Sequence, residues 1–268
     1  MTGAWDCHAH VFGPYASYPL AAERSYTPPE APQAGYLALL QRLGLDHGVL
    51  VHPSAYGDDH ALLLDTLAAQ PQLRGVMVLR ADSSAPLRGL RERGVRGLRF
   101  SQRSGAGANF AGSASFEDLR ALAPAMAGAG LHAELWTDTR ALPDLEPALR
   151  ALPVPIVIDH MGGFDVAAGV DAPGFRALLR LVESGHAWVK LCAYRNLLTH
   201  ADFEAGAAFQ RALQQANPRQ LVWGSDWPHL RVSPEPDAAQ LLEAMVRWAG
   251  DEALARRILV DNPARLYA

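Results

Sequence analysis

The first residues that could do chemistry are His8 and His10, in the stretch Asp6-Cys7-His8-Ala9-His10. Side chains two positions apart on a strand point to the same side, so the two imidazoles would lie together. Such a pair can ligate one metal ion, or it can hold one substrate oxygen without a metal. A lone strand histidine is more often a hydrogen-bonded core residue, so the pair needs partners before it indicates a site.

Two later segments supply such partners, His160 in IDHMGG and Asp226 in GSDWPH. Three imidazole nitrogens and a carboxylate, from His8, His10, His160 and Asp226, could hold one zinc ion and lower the pKa of its bound water to about 7. Without metal, Asp226 could itself take a proton from water while the three imidazoles polarise a substrate carbonyl. The residue types leave both chemistries open.

Arginines indicate the charge of the substrate. Arg99, Arg103 and Arg195 are candidate substrate contacts, because a guanidinium matches a carboxylate with two parallel hydrogen bonds. They predict a small acidic substrate. Further candidates, each with an ordinary packing role as the alternative, are His52, His229, Tyr26 and Tyr194.

The elements that must position these residues alternate along the whole chain. Near-continuous apolar runs predict buried parallel strands, at Ala4–Ala9, Gly48–His52, Gly75–Leu79, Val95–Phe100, Leu131–Trp136, Pro155–Asp159, Ala187–Cys192 and Leu221–Gly224. Amphipathic spacing predicts helices between them, at Tyr36–Leu43, Asp59–Ala69, Pro86–Arg93, Phe116–Ala129, Leu142–Ala151, Phe175–Val182, Phe203–Ala216 and Pro236–Ala249. The pattern predicts an α/β fold, a (β/α)8 TIM barrel forming one domain over residues 1–268.

Such a barrel explains why the candidate residues recur at similar positions. They follow predicted strands one, two, four, six, seven and eight, and the carboxyl ends of barrel strands meet around one axis. A packed core would not repeatedly place ionisable groups there, because unpaired buried charge is costly. A doubly wound sheet is the weaker alternative, since no glycine-rich phosphate loop follows the first strand. The long Pro- and Tyr-rich segment Gly13–Gln33 is predicted to be a loop over the same face.

Composition indicates which classes of binding partner to expect. The 268 residues carry a net charge of -4 with no basic block, which argues against nucleic acid. Two cysteines, Cys7 and Cys192, are too few for a disulfide framework and favour a reducing cytoplasm. Neither a signal peptide nor an apolar run of about 20 residues is present, so no membrane is expected as a partner. The expectation is a soluble cytoplasmic protein that acts on a small molecule, alone or as an oligomer.

Six segments together resemble the amidohydrolase superfamily, in its amidohydrolase-related (type 2) branch, and within it the pyrone-dicarboxylate and sugar lactonases. They are DCHAHVFGP, GLRF, IDHMGG, WVKLCAYRN, VWGSDWPH and NPARLY, and they span residues 6 to 267. The resemblance implies a (β/α)8 barrel that hydrolyses a small acidic lactone from aromatic or sugar-acid breakdown. It implies that no metal is required, with Asp226 activating water while His8, His10 and His160 hold the carbonyl.

Departures from the family pattern bear on metal and substrate. Arg99 stands where a two-metal site would have a bridging lysine or glutamate, and arginine cannot be deprotonated to act as a ligand. The only histidine of strand five, His132, lies at its beginning, so a binuclear site is not expected. Gly163 stands where the lactonases have an arginine after the strand-six histidine, so a monocarboxylate fits as well as a dicarboxylate.

Two alternatives stay open at this point. One is a mononuclear zinc hydrolase or decarboxylase of the same superfamily. The other is a non-catalytic receptor for acidic metabolites, which is disfavoured because none of the four central residues is lost.

Overall fold

The computed structural model describes residues 1–83, 85–105, 108–197 and 203–268. Eight parallel strands follow one another in chain order around one sheet. They are β1 (Trp5–Ala9), β2 (His47–Val51), β3 (Leu73–Val78), β4 (Val95–Gln102), β5 (His132–Thr137), β6 (Ile156–Ile158), β7 (Ala187–Leu191) and β8 (Leu221–Trp223). The predicted (β/α)8 barrel is therefore confirmed.

The barrel closes just beyond β8, at the residues singled out in the sequence. The amide of Asp226 donates to the carbonyl of His8, and the amide of His10 donates to the carbonyl of Trp227, both at 2.8 Å. The buried Asp6 carboxylate secures the same seam, because it accepts the amide of Ser225 at 2.8 Å and the Ser225 hydroxyl at 2.6 Å. Closure and site are thus built by the same short stretches of chain.

Helices cover the outside of the barrel. They are α1 (Gln33–Leu43), α2 (Ala61–Ala69), α3 (Phe116–Gly128), α4 (Leu142–Arg150), α5 (Pro173–Glu183), α6 (Gly206–Ala216), α7 (Ala238–Ala249), α8 (Glu252–Arg256) and α9 (Asn262–Tyr267). Helix α3 begins with a capping box, in which Ser115 and Asp118 satisfy each other's backbone amides. No described helix combines the length and the apolar character needed to cross a membrane.

One predicted helix is wrong. The described residues between β3 and β4 form turns instead of the expected helix Pro86–Arg93. Gly89 takes a φ of +86°, and the amide of Gly94 bonds the carbonyl of Arg91 at 3.0 Å. A left-handed residue in the middle of so short a segment ends any helical run. The short helices α8 and α9, and the π-helical turn Arg257–Asp261 between them, were not among the predicted elements.

Alternation along the strands divides the apolar residues into two sets. Leu98 and Phe100 of β4, with Ala133 and Leu135 of β5, belong to the large cluster between sheet and helices. A smaller cluster fills the barrel interior and consists of Trp5, Cys7, Val49, Val51, Val76, Val157, Trp188, Val222 and Tyr267. Lys190 lies two residues after Trp188 and shares its inward face. A lysine therefore points into the centre of the barrel.

Candidate active site

A cavity of about 350 Å³ opens at the carboxyl ends of the strands. Three of the four predicted central residues, His10, His160 and Asp226, line it. The fourth, His8, lies below them with no exposed surface, and its ring centre is 4.8 Å from that of His160. The structure therefore brings all four together, with His8 outside the cavity lining.

Backbone strain marks this site. Asp226 has a φ of +59° and His160 a φ of +48°, in the left-handed region that non-glycine residues rarely adopt. Each follows a strand of three residues, so the chain turns sharply and aims the side chain at the barrel axis. Just before Asp226, a Cβ added to Gly224 would lie 2.5 Å from the Cβ of His8. The close approach of β1 to this turn therefore requires glycine there.

The Asp226 carboxylate is held by hydrogen bonds on one oxygen, and its other oxygen lies beside two imidazole rings. Oδ2 accepts hydrogen bonds from the Tyr194 hydroxyl at 2.7 Å and from Nε of Arg195. Oδ1 lies 3.6 Å from Nε2 of His8 and 3.5 Å from Nε2 of His10. Burial opposes ionisation, but the Arg195 guanidinium outweighs it and holds the pKa of Asp226 well below its usual range. Asp226 is thus an ionised acceptor that faces the cavity.

The tautomer of His10 follows from its second contact. Nδ1 of His10 lies 2.7 Å from the carbonyl oxygen of Val51, which can only accept, so Nδ1 carries a proton. In the neutral ring Nε2 is then an acceptor, 3.3 Å from Nε2 of His8. In this tautomer Nε2 of His10 can accept a proton but cannot donate to a substrate carbonyl.

Burial determines the charge of the other two histidines, His8 and His160. Burial, with the Lys190 charge, lowers the pKa of His8 to about 3, and burial lowers the pKa of His160 to about 4. Nδ1 of His160 has no hydrogen-bond partner among the described residues. His160 therefore lines the cavity with a neutral ring whose Nδ1 is buried and, in the described part of the chain, unpartnered.

The spacing of three of these donors also suits a metal ion. Nε2 of His8, Nε2 of His10 and Oδ1 of Asp226 are 3.3 to 3.6 Å apart. Ligands at about 2.0–2.1 Å from a tetrahedral zinc lie roughly 3.3–3.4 Å from one another. The distances between these three atoms would allow them to hold one divalent ion, provided that both imidazole nitrogens present lone pairs.

Arginines dominate the charge of the cavity wall, and they form two pairs. Nε of Arg99 donates to Oδ2 of Asp159 at 2.9 Å, and Arg195 is paired with Asp226. Arg103 and Arg231 also line the cavity, yet neither has a carboxylate within ion-pair distance in the described part of the chain. Two cationic groups are therefore available to an anion.

Aromatic rings hold these two guanidiniums in place. The guanidinium carbon of Arg103 lies 4.5 Å from the ring centre of Trp136, and that of Arg231 lies 5.3 Å from Phe110. The two rings are in edge contact at 5.0 Å, and Tyr26 packs on Phe110 at 5.4 Å. Tyr26 belongs to the loop predicted to cover this face, and the structure places it in the cavity lining.

Comparison with known proteins gives the same picture over the full length. The family model described as amidohydrolase matches residues 5–268. A 4-sulfomuconolactone hydrolase from Rhizobium radiobacter is 38% identical over 272 residues, covering 99% of this chain and 90% of the relative. A 2-pyrone-4,6-dicarboxylate hydrolase from Comamonas testosteroni is 34% identical over 282 residues, with coverage of 99% and 90%. The chain belongs to the amidohydrolase family.

A solved structure from Pseudomonas putida, proposed to be a 2-pyrone-4,6-dicarboxylic acid hydrolase, superimposes with a TM-score of 0.83. It is 33% identical, and the match covers 100% of this chain and 98% of that one. The resemblance inferred from the sequence is therefore confirmed, and the protein is an enzyme of the amidohydrolase family.

In this amidohydrolase, three predicted substrate contacts lie outside the cavity lining. His52 is buried and its Nε2 donates to the carbonyl of Gly57 at 3.0 Å. His229 is buried behind Asp226, with Nε2 3.1 Å from the carbonyl of Ser225. The Tyr194 hydroxyl donates to Oδ2 of Asp226. All three side chains are engaged by contacts within the protein, and a role for them toward the substrate stays a prediction.

Sequence reasoning missed the buried ion network beneath the floor. Nζ of Lys190 lies 2.5 Å from Oε2 of Glu134, 3.1 Å from Nδ1 of His8 and 3.4 Å from Oδ1 of Asp159. The Tyr267 hydroxyl of α9 donates to Oε1 of Glu134 at 3.0 Å. The available signal was a lone lysine inside the apolar strand WVKLC. Glu134, in strand β5, lies in this network and not in the cavity lining.

His132 occupies the lower end of the barrel, as predicted. Its ring is in edge contact with Tyr267 at 5.2 Å, and Nε2 lies 3.4 Å from Oε1 of Glu134. A Cβ on Gly97 would lie 2.5 Å from this ring, so β4 makes room for it. His132 therefore contacts the buried network at Glu134 and does not line the cavity.

Proposed function

We propose that this amidohydrolase, acting as one domain over residues 1–268, opens small acidic lactones by hydrolysis. The observation that carries the proposal is the Asp226 carboxylate. One oxygen is fixed by Tyr194 and Arg195, and the other faces an arginine-lined cavity. The similarity to hydrolases of sulfomuconolactone and pyrone dicarboxylate supports a lactone as the substrate class.

The attacking water would be bound by two acceptors. Oδ1 of Asp226 and Nε2 of His10 both face the cavity, 3.5 Å apart, and can each accept a hydrogen from one water molecule. Asp226 takes one proton as the water oxygen bonds to the lactone carbonyl carbon. It returns that proton to the ring oxygen as the carbon–oxygen bond breaks, which yields the hydroxy acid.

His160 is the group best placed to stabilise the carbonyl oxygen. Its ring is neutral and lines the cavity. Because Nδ1 is buried, Nε2 is the nitrogen that would meet the carbonyl oxygen. The Asn196 side chain donates to the His160 carbonyl at 2.9 Å and so fixes the strained backbone that aims the ring. Donors preorganised in this way act where negative charge develops.

The unpaired arginines define the rest of the substrate. Arg103 and Arg231 would each bind an anionic group of the lactone, while Arg99 and Arg195 are engaged by carboxylates of the protein. Gly163 leaves open the position where the related lactonases have an arginine, and Arg231 enters the same cavity from the β8 side. We therefore propose a lactone with two separated anionic groups.

A metal is the alternative cofactor proposal. His8, His10 and Asp226 would hold one zinc ion, which when bound supplies a Lewis acid and a more acidic water. We propose that the reaction needs no metal, because an ionised Asp226 beside a proton-accepting His10 already provides the base. Elemental analysis of protein purified without chelator, with assays before and after chelation, separates the two. Stoichiometric zinc whose removal abolishes activity would reject the metal-free form of the proposal.

The test of the mechanism is Asp226→Asn, which keeps the size and removes the base. Hydrolysis of acidic lactones should fall by about 10²- to 10⁴-fold, because that is the usual contribution of a general base. Asp171→Asn is the matched control, since the Asp171 side chain is 93% exposed and should leave turnover unchanged. Circular dichroism and retained binding of the lactone show that the variant is folded. Turnover near wild type in Asp226→Asn would exclude Asp226 as the base.

A further inference from the structure

Lys190 is the only lysine in the 268-residue sequence, and it has no exposed surface. Every other basic side chain apart from histidine is an arginine. A flexible, strongly hydrated ammonium is the more expensive of the two cations to bury without partners. Its position inside the barrel, 3.1 Å from the ring of His8, therefore calls for an explanation beyond surface charge.

The direction of the contact between Lys190 and His8 is fixed by chemistry. An ammonium has three donors and no acceptor, so Nδ1 of His8 must accept. Two carboxylates, those of Glu134 and Asp159, lie beside Nζ and compensate its charge. A neutral His8 ring that accepts at Nδ1 carries its hydrogen at Nε2.

The competing arrangement uses Asp159. Its Oδ1 lies 3.4 Å from Nδ1 of His8 and could accept a proton from it, which would leave a lone pair on Nε2. The Lys190 contact is shorter, and the other oxygen of Asp159 already accepts from Arg99 at 2.9 Å. The partners of Nε2 agree with the Lys190 arrangement, because Oδ1 of Asp226 and Nε2 of His10 are both acceptors.

We propose that Lys190 is a positioning residue that fixes His8 as the Nε2–H tautomer. His8 then donates toward Asp226 and His10, and it cannot ligate a cation through Nε2. The three donor atoms are spaced for a divalent ion, but one of them carries a hydrogen where a ligand needs a lone pair. Lys190 therefore biases this site toward metal-free chemistry.

The experiment reads the tautomer directly. Protein labelled with ¹⁵N in the histidine rings gives separate resonances for protonated and unprotonated ring nitrogens, and His8 is assigned from the spectrum of His8→Gln. The test variant is the double substitution Lys190→Met with Glu134→Gln, which removes the ammonium and one of its buried counter-charges together. Glu134→Gln alone is the matched control, because it retains Lys190.

At neutral pH, wild type and Glu134→Gln should show an unprotonated Nδ1 and a protonated Nε2 in His8. The double variant should show the reverse, with Nδ1–H directed at Asp159. Calorimetric titration with Zn²⁺ should give at least about tenfold tighter binding to the double variant than to wild type, which is the usual scale for changes next to a ligand.

A protonated Nδ1 of His8 in the wild-type protein would overturn the proposal. So would an unchanged tautomer, or equal zinc affinity, in the double variant. If the double variant does not fold, the wild-type spectrum decides alone. None of these measurements uses a lactone, so their failure is distinct from failure of the proposed hydrolysis.

Discussion

The barrel holds two charged regions that are close in space and differ in how their charges are matched. Below the floor, Lys190 is enclosed by Glu134 and Asp159 without solvent exposure. Above it, Arg103 and Arg231 line the cavity without a carboxylate partner among the described residues. In the lower region every charge is paired within the protein, and the pairs position side chains. In the upper region two of the described guanidiniums lack a carboxylate partner, and an anionic ligand would pair with them.

Desolvation explains why the two regions must differ. A buried charge needs a partner inside the protein, because water cannot reach it. Burial opposes ionisation of Glu134, but the Lys190 charge outweighs it and lowers the pKa of Glu134 to about 2. At the cavity, water and aromatic rings can support a guanidinium until a substrate arrives. Substitutions in the two regions should therefore affect different quantities.

The largest effect is expected from Lys190→Met, which leaves the buried Glu134 carboxylate without its cation and leaves Asp159 with Arg99 alone. Removing one partner of a buried ion pair costs about 3–5 kcal/mol, so the free energy of unfolding should fall by that order. Urea denaturation followed by circular dichroism measures it. The comparison is Arg103→Gln, which should change the free energy of unfolding by less than about 0.5 kcal/mol. Equal losses in both variants would contradict the distinction between the regions.

A smaller, purely functional effect is expected from Arg103→Gln and Arg231→Gln. Each should raise KM for a lactone with two anionic groups by about tenfold, the scale of one charged hydrogen bond, with kcat changed much less. A lactone with one anionic group should lose affinity in only one of the two variants. Arg176→Gln is the control, because that guanidinium is exposed away from the cavity. An unchanged KM in both variants would contradict the assignment of Arg103 and Arg231 as anion-binding residues.

The smallest effect concerns stability in acid. It involves His52, a buried histidine whose hydrogen-bond partner lies within the protein. Burial lowers its pKa to about 3 in the folded protein. The unfolded chain binds a proton below about pH 6.5 and the folded protein does not, so acidification favours unfolding between pH 6.5 and about 3. His52→Gln should reduce the slope of unfolding free energy against pH by up to about 1.4 kcal/mol per unit. Denaturation curves at several pH values between 6.5 and 5 test this, and an unchanged slope would place the proton uptake elsewhere.

Much of the fold could be predicted because its signals are local. Apolar runs such as GVLVH and PIVID mark buried strands, and amphipathic spacing marks the helices that cover them. The segment Pro86–Arg93 failed because its spacing is helical while Gly89 adopts a left-handed conformation. Spacing alone does not show which conformation a glycine takes.

The site was predictable in part. His10, His160 and Asp226 meet at one cavity because strand ends of a barrel converge, which is a property of the topology. Arg231 was missed because it follows Asp226 in a loop with no periodicity of its own. The sequence does not reveal that the carbonyl of Gly57 supplies an acceptor for the ring of His52.

The sequence by itself determined the family, the barrel and the candidate reacting groups, since these depend on residue type and on order along the chain. Only the tertiary structure decided how these groups face one another. It placed His8 beneath the cavity, directed Nδ1 of His10 to the Val51 carbonyl, and set Lys190 against Nδ1 of His8. Hydrogen-bond direction depends on which donor and acceptor meet across the barrel, and those partners are 41 and 182 residues apart in the chain.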